Sequence, residues 1–297
     1  MKTILYATDC SSNAGPSLRY AFRLSSAMKV HLHVLHVYEL APFVMKSDRN
    51  KETMELSFAE EQGLILKEFC NKKLEHEYGS KKLKLWVEEN NSITAAILET
   101  AERIDADLVI VGIKDDQPLQ AFFSENIGNK LLSKIQVPLL LLPKEVNFRG
   151  LSTLIYATDF EKSDIVALKK LVAFAEPYEA LIKVVHIPRK KEIDFEMKMT
   201  LLEKEVKNAI DYPELVFCTK NAEDVESGLK HCVDEELPEM LVMLEREHGY
   251  WHERFFKKDM VEIMEEEVGL PILVFNKESI KTEMKGQHDE TLFFTKR

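Results

Sequence analysis

The sequence predicts an α/β protein made of two tandem domains, each with a five-stranded, doubly wound parallel sheet. Short apolar runs alternate with segments of helix length, the pattern of right-handed β-α-β units. Residues 3–9 (TILYATD) return as residues 153–159 (TLIYATD), with five of the seven positions identical. Other strand-like segments return in the same order, so we expect the two halves to share one architecture.

The repeat extends over most of each half. Residues 34–37 (VLHV) are matched 150 positions later by residues 184–187 (VVHI), the same spacing that separates the first pair. Residues 137–141 (VPLLL) match residues 270–274 (LPILV) at a spacing of 133. Three matches in one order indicate an internal duplication with a shorter second copy.

In the first half, apolar runs predict the strands and apolar positions three or four residues apart predict the helices. Leu18, Phe22 and Ser25 fall on one side of the first helix, and Ser92 is predicted to cap the third. The predicted strands are residues 4–7, 30–38, 83–87, 108–111 and 138–142. The predicted helices are residues 12–28, 51–78, 92–103 and one beginning at Ser124 or Glu125.

The second half is predicted to repeat this order after a short polar linker at residues 144–150. Its predicted strands are residues 153–157, 181–187, 215–219, 240–244 and 271–275. We therefore expect one domain at residues 1–146, a second at 151–277, and a polar tail at 278–297.

Composition excludes several classes of protein. The net charge is −11 with 31% charged residues, and an acidic surface repels phosphate backbones and anionic lipids, so nucleic-acid and membrane partners are not expected. No stretch approaches the roughly 18 apolar residues of a membrane span. The first apolar run breaks at Asp9, too early for a signal peptide, and the cytoplasm is the expected location. The four cysteines lack CxxC spacing and are expected to be free thiols.

In a doubly wound sheet, ligands bind outside the carboxyl ends of the strands. Asp9 and Asp159 fall at such an end, directly after the repeated apolar run. Each is interpreted either as a ligand-binding residue or as a cap of the helix that follows.

These segments resemble the universal stress protein family in its tandem form. In the first half the resemblance rests on Ala7-Thr8-Asp9, Leu35-His36-Val37 and residues 106–112 (ADLVIVG), together with residues 137–141. The second half matches at Ala157-Thr158-Asp159, residues 185–187, residues 239–243 and residues 270–274. The resemblance implies a Rossmann-like fold of the adenine nucleotide alpha hydrolase kind. Some family members bind ATP and others do not.

The ATP-binding members carry the motif Gly-x2-Gly-x9-Gly-Ser/Thr after the fourth strand, where backbone amides can close on the phosphates. Gly112 matches the first glycine, but Asp115 stands at the second, and Glu125 and Asn126 replace the final pair. Like charges about 4 Å apart repel by about 4 kcal/mol at an effective dielectric near 20, so these carboxylates oppose a triphosphate. A divalent cation could bridge them instead, and a shifted loop could use Gly128.

The resemblance implies a degenerate adenine-nucleotide site, for ATP or a related nucleotide, in the first domain only. Its expected residues are Ala7, Thr8, Asp9, Val37, Gly112 and Asn126. In the second domain Leu244 replaces the first glycine and the acidic residues 245–249 (EREHG) follow, so we expect no ATP there.

No other cluster predicts a metal or catalytic site. His31 and His33 share one face of a strand while His36 points to the other, so the three are not expected to converge. His248 and His252 are four residues apart and could bind zinc only with a third ligand, which the sequence does not supply. No nucleophile–base set is present, so the chain is predicted to be no enzyme.

The leading interpretation is a cytoplasmic stress-response module that binds or signals. Two alternatives stay open: a magnesium-dependent ATP-hydrolysing protein using Asp9 and the Gly112 loop, and a sensor of a small non-phosphate ligand. The apolar strands at residues 138–142 and 271–275 need cover, so the two domains are expected to pair within one chain. A homodimer and an unidentified protein partner remain open.

Overall fold

The computed structural model describes residues 1–40, 51–75, 83–112, 130–190, 192–245, 269–276 and 280. These residues form two compact units, with the main boundary between Phe148 and Arg149. Within the described ranges, no helix is both long and apolar enough to cross a membrane. The predicted helix start at Ser124 or Glu125 and nearly all of the predicted tail lie outside them.

The first unit is a five-stranded parallel sheet in the order β3-β2-β1-β4-β5. Its strands are β1 (Thr3–Thr8), β2 (His31–Tyr38), β3 (Lys84–Glu89), β4 (Leu108–Gly112) and β5 (Leu139–Leu142). Its helices are α1 (Gly15–Ala27), α2 (Lys51–Leu74) and α3 (Ile93–Arg103). Because the strand order reverses between β1 and β4, this edge is where a doubly wound sheet binds ligands.

The second unit repeats the first in the parallel order β8-β7-β6-β9-β10. Its strands are β6 (Thr153–Ala157), β7 (Leu181–His186), β8 (Leu215–Thr219), β9 (Met240–Leu244) and β10 (Ile272–Phe275). Its helices are α4 (Ser163–Ala175), α5 (Phe195–Ala209) and α6 (Val225–Glu236). The predicted fold class is confirmed.

Apolar patterning explains the layers. Every residue of β9 is buried, as expected for a strand covered by helices on both faces. The predicted inner face of α1, with Leu18, Phe22 and Ser25, is buried. Ser92 caps α3 as predicted, because its side chain accepts from the amide of Ala95. The local pattern of apolar and capping residues was therefore sufficient to predict these helices and strands.

Some boundaries differ from the prediction. The first helix begins at Gly15 rather than at residue 12, because residues 12–14 form a turn of 3-10 helix and a proline occupies the first α-helical turn. The described part of the long second helix ends at Leu74, and residues 76–82 lie outside the description. All four cysteines are free thiols, as predicted.

At the amino end of each sheet, a carboxylate holds the chain before the first strand. Asp107 Oδ2 accepts from the amides of Lys2 and Thr3 at 2.6 and 2.9 Å. In the second unit Glu239 Oε2 accepts from the amides of Ser152 and Thr153 at 3.0 and 2.7 Å. Both units thus have a carboxylate that accepts from these two amides, an aspartate in the first unit and a glutamate in the second.

Candidate functional site

The repeated Thr-Asp pair turns the chain at the carboxyl end of the first strand in each unit. Thr8 Oγ1 accepts from the amide of Cys10 at 3.1 Å, and Thr158 Oγ1 accepts from the amide of Phe160 at 3.1 Å. Cys10 and Phe160 both adopt left-handed backbone, with φ of 59° and 65°. A threonine hydroxyl that closes such a turn explains why both copies keep the residue.

The register of the first unit brings most of the expected nucleotide-site residues to one edge. Ala7 lies between Leu35 of β2 and Val111 of β4. Thr8, Val37 and Gly112 follow at the carboxyl ends of those three strands. The last expected residue, Asn126, lies outside the described residues, as do the acidic and glycine positions of the degenerate loop.

Asp9 follows Thr8 at this edge and is half-buried. Its Oδ1 accepts from the amide of Ser11 at 3.0 Å, which closes a second turn. Ala14, not Asp9, occupies the cap position of α1. The cap interpretation of Asp9 is therefore wrong, because residues 10–14, which include the turn of 3-10 helix, separate it from α1.

Gly112 has a packing role in addition to its place at the edge. A Cβ added there would lie 2.6 Å from Oγ and 3.2 Å from Cβ of Ser17 on α1. A side chain at position 112 would force Ser17 to shift, so glycine allows α1 and β4 to approach as closely as they do. At the corresponding register position of the second unit stands Leu244, which is buried.

The same edge of the second unit is lined by charged and aromatic groups. Arg189 Nη2 lies 3.7 Å from Asp159 Oδ2, and the rings of Phe160 and His186 pack with their centroids 4.1 Å apart. Beside them is a small open cleft of about 10 Å³, roughly the room for one water molecule. It is lined by Ala157, Thr158, Asp159, Val185, His186, Ile187, Arg189, Val225 and Leu229.

The histidines of β2 do not form a metal site. His31 is exposed, whereas His33 Nδ1 accepts from Trp86 Nε1 at 2.9 Å. His36 contacts the carbonyl of Thr8 and the side chain of Gln62, each at 3.1 Å. Among the residues described, no group of three potential metal ligands occurs. His248 and His252 lie outside them.

Burial shifts the pKa values of several ionisable side chains in the first unit, among them His33 and Tyr6. Burial, followed by the charges of Lys84 and His31, lowers the pKa of His33 from 6.5 to about 4. Burial raises the pKa of Tyr6 far above its usual range, and its hydroxyl donates to the carbonyl of Ala14 at 3.1 Å. Both groups are therefore neutral at physiological pH.

Sequence reasoning missed three charged residues near the second edge: Asp164, Arg189 and Glu192. Asp164 is fully buried, and it stands 150 positions after Ala14, so a position-by-position comparison of the halves would have exposed the change. Arg189 and Glu192 follow β7, where the two halves no longer match, and no local pattern distinguishes them from surface charges.

Comparison with known proteins identifies the first half at the level of sequence. Residues 1–143 match the profile described as the Universal stress protein family. No curated protein matches the sequence.

Solved structures match the fold over nearly the whole chain. A universal stress protein from Archaeoglobus fulgidus is 14% identical, with a TM-score of 0.63 over 92% of this chain and 96% of that one. A putative universal stress protein from Pseudomonas aeruginosa is 13% identical, with a TM-score of 0.58 over 95% of this chain and 96% of that one. At such identities the similarity establishes the fold alone.

Proposed function

We propose that this chain, whose residues 1–143 match the Universal stress protein family, is a tandem, cytoplasmic stress-response module with one adenine-nucleotide site. In this proposal residues 1–146 form a nucleotide-binding domain and residues 151–277 a degenerate domain that binds no ATP. The protein acts by binding and signalling.

The placement of residues in the first unit supports a site there. Thr8, Asp9, Val37 and Gly112 stand at the carboxyl ends of β1, β2 and β4, where the strand order reverses. The backbone around Val37 can present donors and acceptors to an adenine edge. Asp9 can accept from a ribose hydroxyl, and Asn126 is proposed as a further contact.

One observation carries the restriction to the first unit. The edge that a nucleotide would approach in the second unit already holds the Asp159–Arg189 pair, and Leu244 stands where the first unit has Gly112. A nucleotide there would have to break this ion pair and displace a buried leucine. The proposal therefore predicts one nucleotide per chain.

Calorimetric titration of the full chain with ATP and Mg²⁺ tests this assignment, using Asp9→Asn and Asp159→Asn as matched variants. Asparagine retains the oxygen that accepts from Ser11 and removes the charge. We expect a stoichiometry near one, with affinity weakened about tenfold or more in Asp9→Asn and unchanged in Asp159→Asn. Equal effects of the two variants would contradict the assignment, and so would two ATP per chain.

The same preparation decides whether the bound nucleotide is hydrolysed. Phosphate release above background with Mg²⁺, abolished in Asp9→Ala, would support the magnesium-dependent ATP-hydrolysing alternative.

A second candidate function rests on the cleft of the second unit. Ile187, Val225 and Leu229 give it an apolar wall, and Asp159 and Arg189 give it charges of both signs. Such a lining could contact a small non-phosphate ligand with an apolar body and polar groups, and the cleft of about 10 Å³ would have to widen to admit it. Native mass spectrometry of the purified chain would reveal a retained ligand, and an apo mass would count against this function.

The proposal includes pairing of the two domains through β5 and β10, whose apolar residues need cover, and homodimer formation. Light scattering coupled to size-exclusion chromatography tests homodimer formation directly, because a homodimer has twice the chain mass of 34.3 kDa.

A further inference from the structure

His186 ends β7 and is almost completely buried, with both ring nitrogens close to oxygen atoms. Nδ1 lies 2.9 Å from the carbonyl oxygen of Thr158, and Nε2 lies 3.1 Å from Oε2 of Glu192. A carbonyl oxygen and an ionised carboxylate can only accept, so both nitrogens have to donate. A histidine ring donates from both nitrogens only when it is an imidazolium.

Glu192 is held in its ionised form by other donors. Lys198 Nζ donates to Oε1 at 3.2 Å, and the amide of Arg189 donates to Oε2 at 3.3 Å. Burial alone would raise the pKa of Glu192, but these hydrogen bonds and the charge of His186 outweigh it and hold the pKa below 4.5. The proton shared by the pair therefore resides on His186.

His36 in the first unit corresponds to His186 and has a different partner, so the two histidines can be compared directly. His36 stands 150 positions before His186 and makes the same contact, with Nδ1 3.1 Å from the carbonyl of Thr8. Its Nε2 meets the side-chain amide of Gln62 at 3.1 Å. Because that amide can present either its oxygen or its NH₂ group, a neutral ring satisfies both contacts. The two units thus hold the same histidine against a neutral and a charged partner.

The remaining charged groups around His186 come from four elements. Asp159, after β6, places Oδ1 3.9 Å from Nδ1 and pairs with Arg189. Lys198 of α5 is bound to Glu192 and lies 5.8 Å over the Phe160 ring. Lys220, after β8, donates its amide to the His186 carbonyl, but its side chain pairs with Glu235 of α6. The charged groups that face the ring directly are the carboxylates of Asp159 and Glu192.

We propose that His186 is a buried imidazolium that fastens Glu192 and Arg189, after β7, to the edge of the second unit. A neutral ring keeps one N–H and would present a lone pair either to the Thr158 carbonyl or to the Glu192 carboxylate. Glu192 also accepts from the Arg189 amide, and Arg189 lines the cleft. The doubly protonated ring therefore holds Glu192, and through it the Arg189 backbone, beside the cleft.

Ring ¹⁵N NMR of the full chain at pH 7 tests the protonation states directly, with Glu192→Gln and Gln62→Glu as reciprocal variants. We expect a doubly protonated His186 and a neutral His36 in the wild type. Glu192→Gln should make His186 neutral, and Gln62→Glu should make His36 doubly protonated. A neutral His186 in the wild type would overturn the proposal. If Glu192→Gln fails to fold, the wild-type signals and those of Gln62→Glu test the proposal. A His36 that stays neutral in Gln62→Glu would count against the proposal.

Hydrogen exchange measures the fastening of Arg189. At pH 7, protection of the Arg189 amide should be about tenfold lower in Glu192→Gln than in the wild type, as expected for loss of a charge-assisted hydrogen bond. Equal protection in the variant and the wild type would overturn the fastening.

Discussion

The hydroxyl of Tyr156 donates to the carboxylate of Asp164 over 2.8 Å, deep inside the second unit. Thr158 Oγ1 and the amide of Glu161 donate to the other carboxylate oxygen at 2.5 and 3.0 Å. In the first unit the matching tyrosine donates to a backbone carbonyl. A side-chain acceptor has thus replaced a main-chain acceptor, and it joins three donors around one buried charge.

Asp164→Ala should destabilise the second unit by about 3 kcal/mol, because it leaves three donors without their acceptor. Urea unfolding measures the change, with Asp164→Asn as the control that keeps the shape and one acceptor. A loss below about 1 kcal/mol for the alanine variant would show that water replaces the carboxylate.

Gly112→Ala should cost about 1–2 kcal/mol, because the new methyl group would enter the space of Ser17. Adding Ser17→Ala removes the nearest atom and should recover part of the loss. A double-mutant cycle in thermal or urea unfolding isolates this coupling. Additive losses would mean that β4 and α1 separate instead of clashing.

Asp107→Ala and Glu239→Ala should each cost about 1–2 kcal/mol, because each carboxylate accepts from two amides. Hydrogen exchange gives a sharper measurement. Exchange of the Thr3 amide should accelerate only in Asp107→Ala, and that of the Thr153 amide only in Glu239→Ala. Each variant serves as the control for the other, and acceleration at both amides in one variant would indicate global unfolding.

Because of His33, the stability of the folded chain should fall as the pH becomes mildly acidic. Its pKa of about 4 in the folded chain lies below the ordinary 6.5, so the unfolded chain takes up a proton first as pH falls. Its contribution is complete above about pH 6.5 and declines towards pH 4.

Urea unfolding at pH 7 and pH 4.5 checks this contribution, because His33→Gln should reduce the difference between the two conditions. His31→Gln is the matched control, since burial is the largest cause of the His33 shift and His31 is exposed. Equal pH dependence in His33→Gln and wild type would contradict the assignment.

Local pattern was sufficient for the fold and for the edge at which the site lies. Buried strands such as residues 108–112 require apolar side chains on both faces, and Ser92 shows the spacing of a cap. The partners of Asp164 and His186 could not be predicted in this way. An acid in the first turn of a helix has the same pattern whether it faces water or a buried tyrosine, and only the tertiary contact decides.

The packing role of Gly112 could not be predicted from the sequence either. Sequence reasoning assigned it to a phosphate loop because that was the one role its spacing identified. Its contact with Ser17 involves a residue 95 positions earlier in the chain, and no motif within the loop contains that information.

Glycine at position 112 would be favoured in this chain even without a nucleotide, because a larger residue would press on Ser17 of the neighbouring helix. The presence of this glycine is therefore not by itself a sign that the chain recognises ATP. A better criterion is what occupies the space beside residue 112, which can be a bound ligand or, as here, Ser17 of α1.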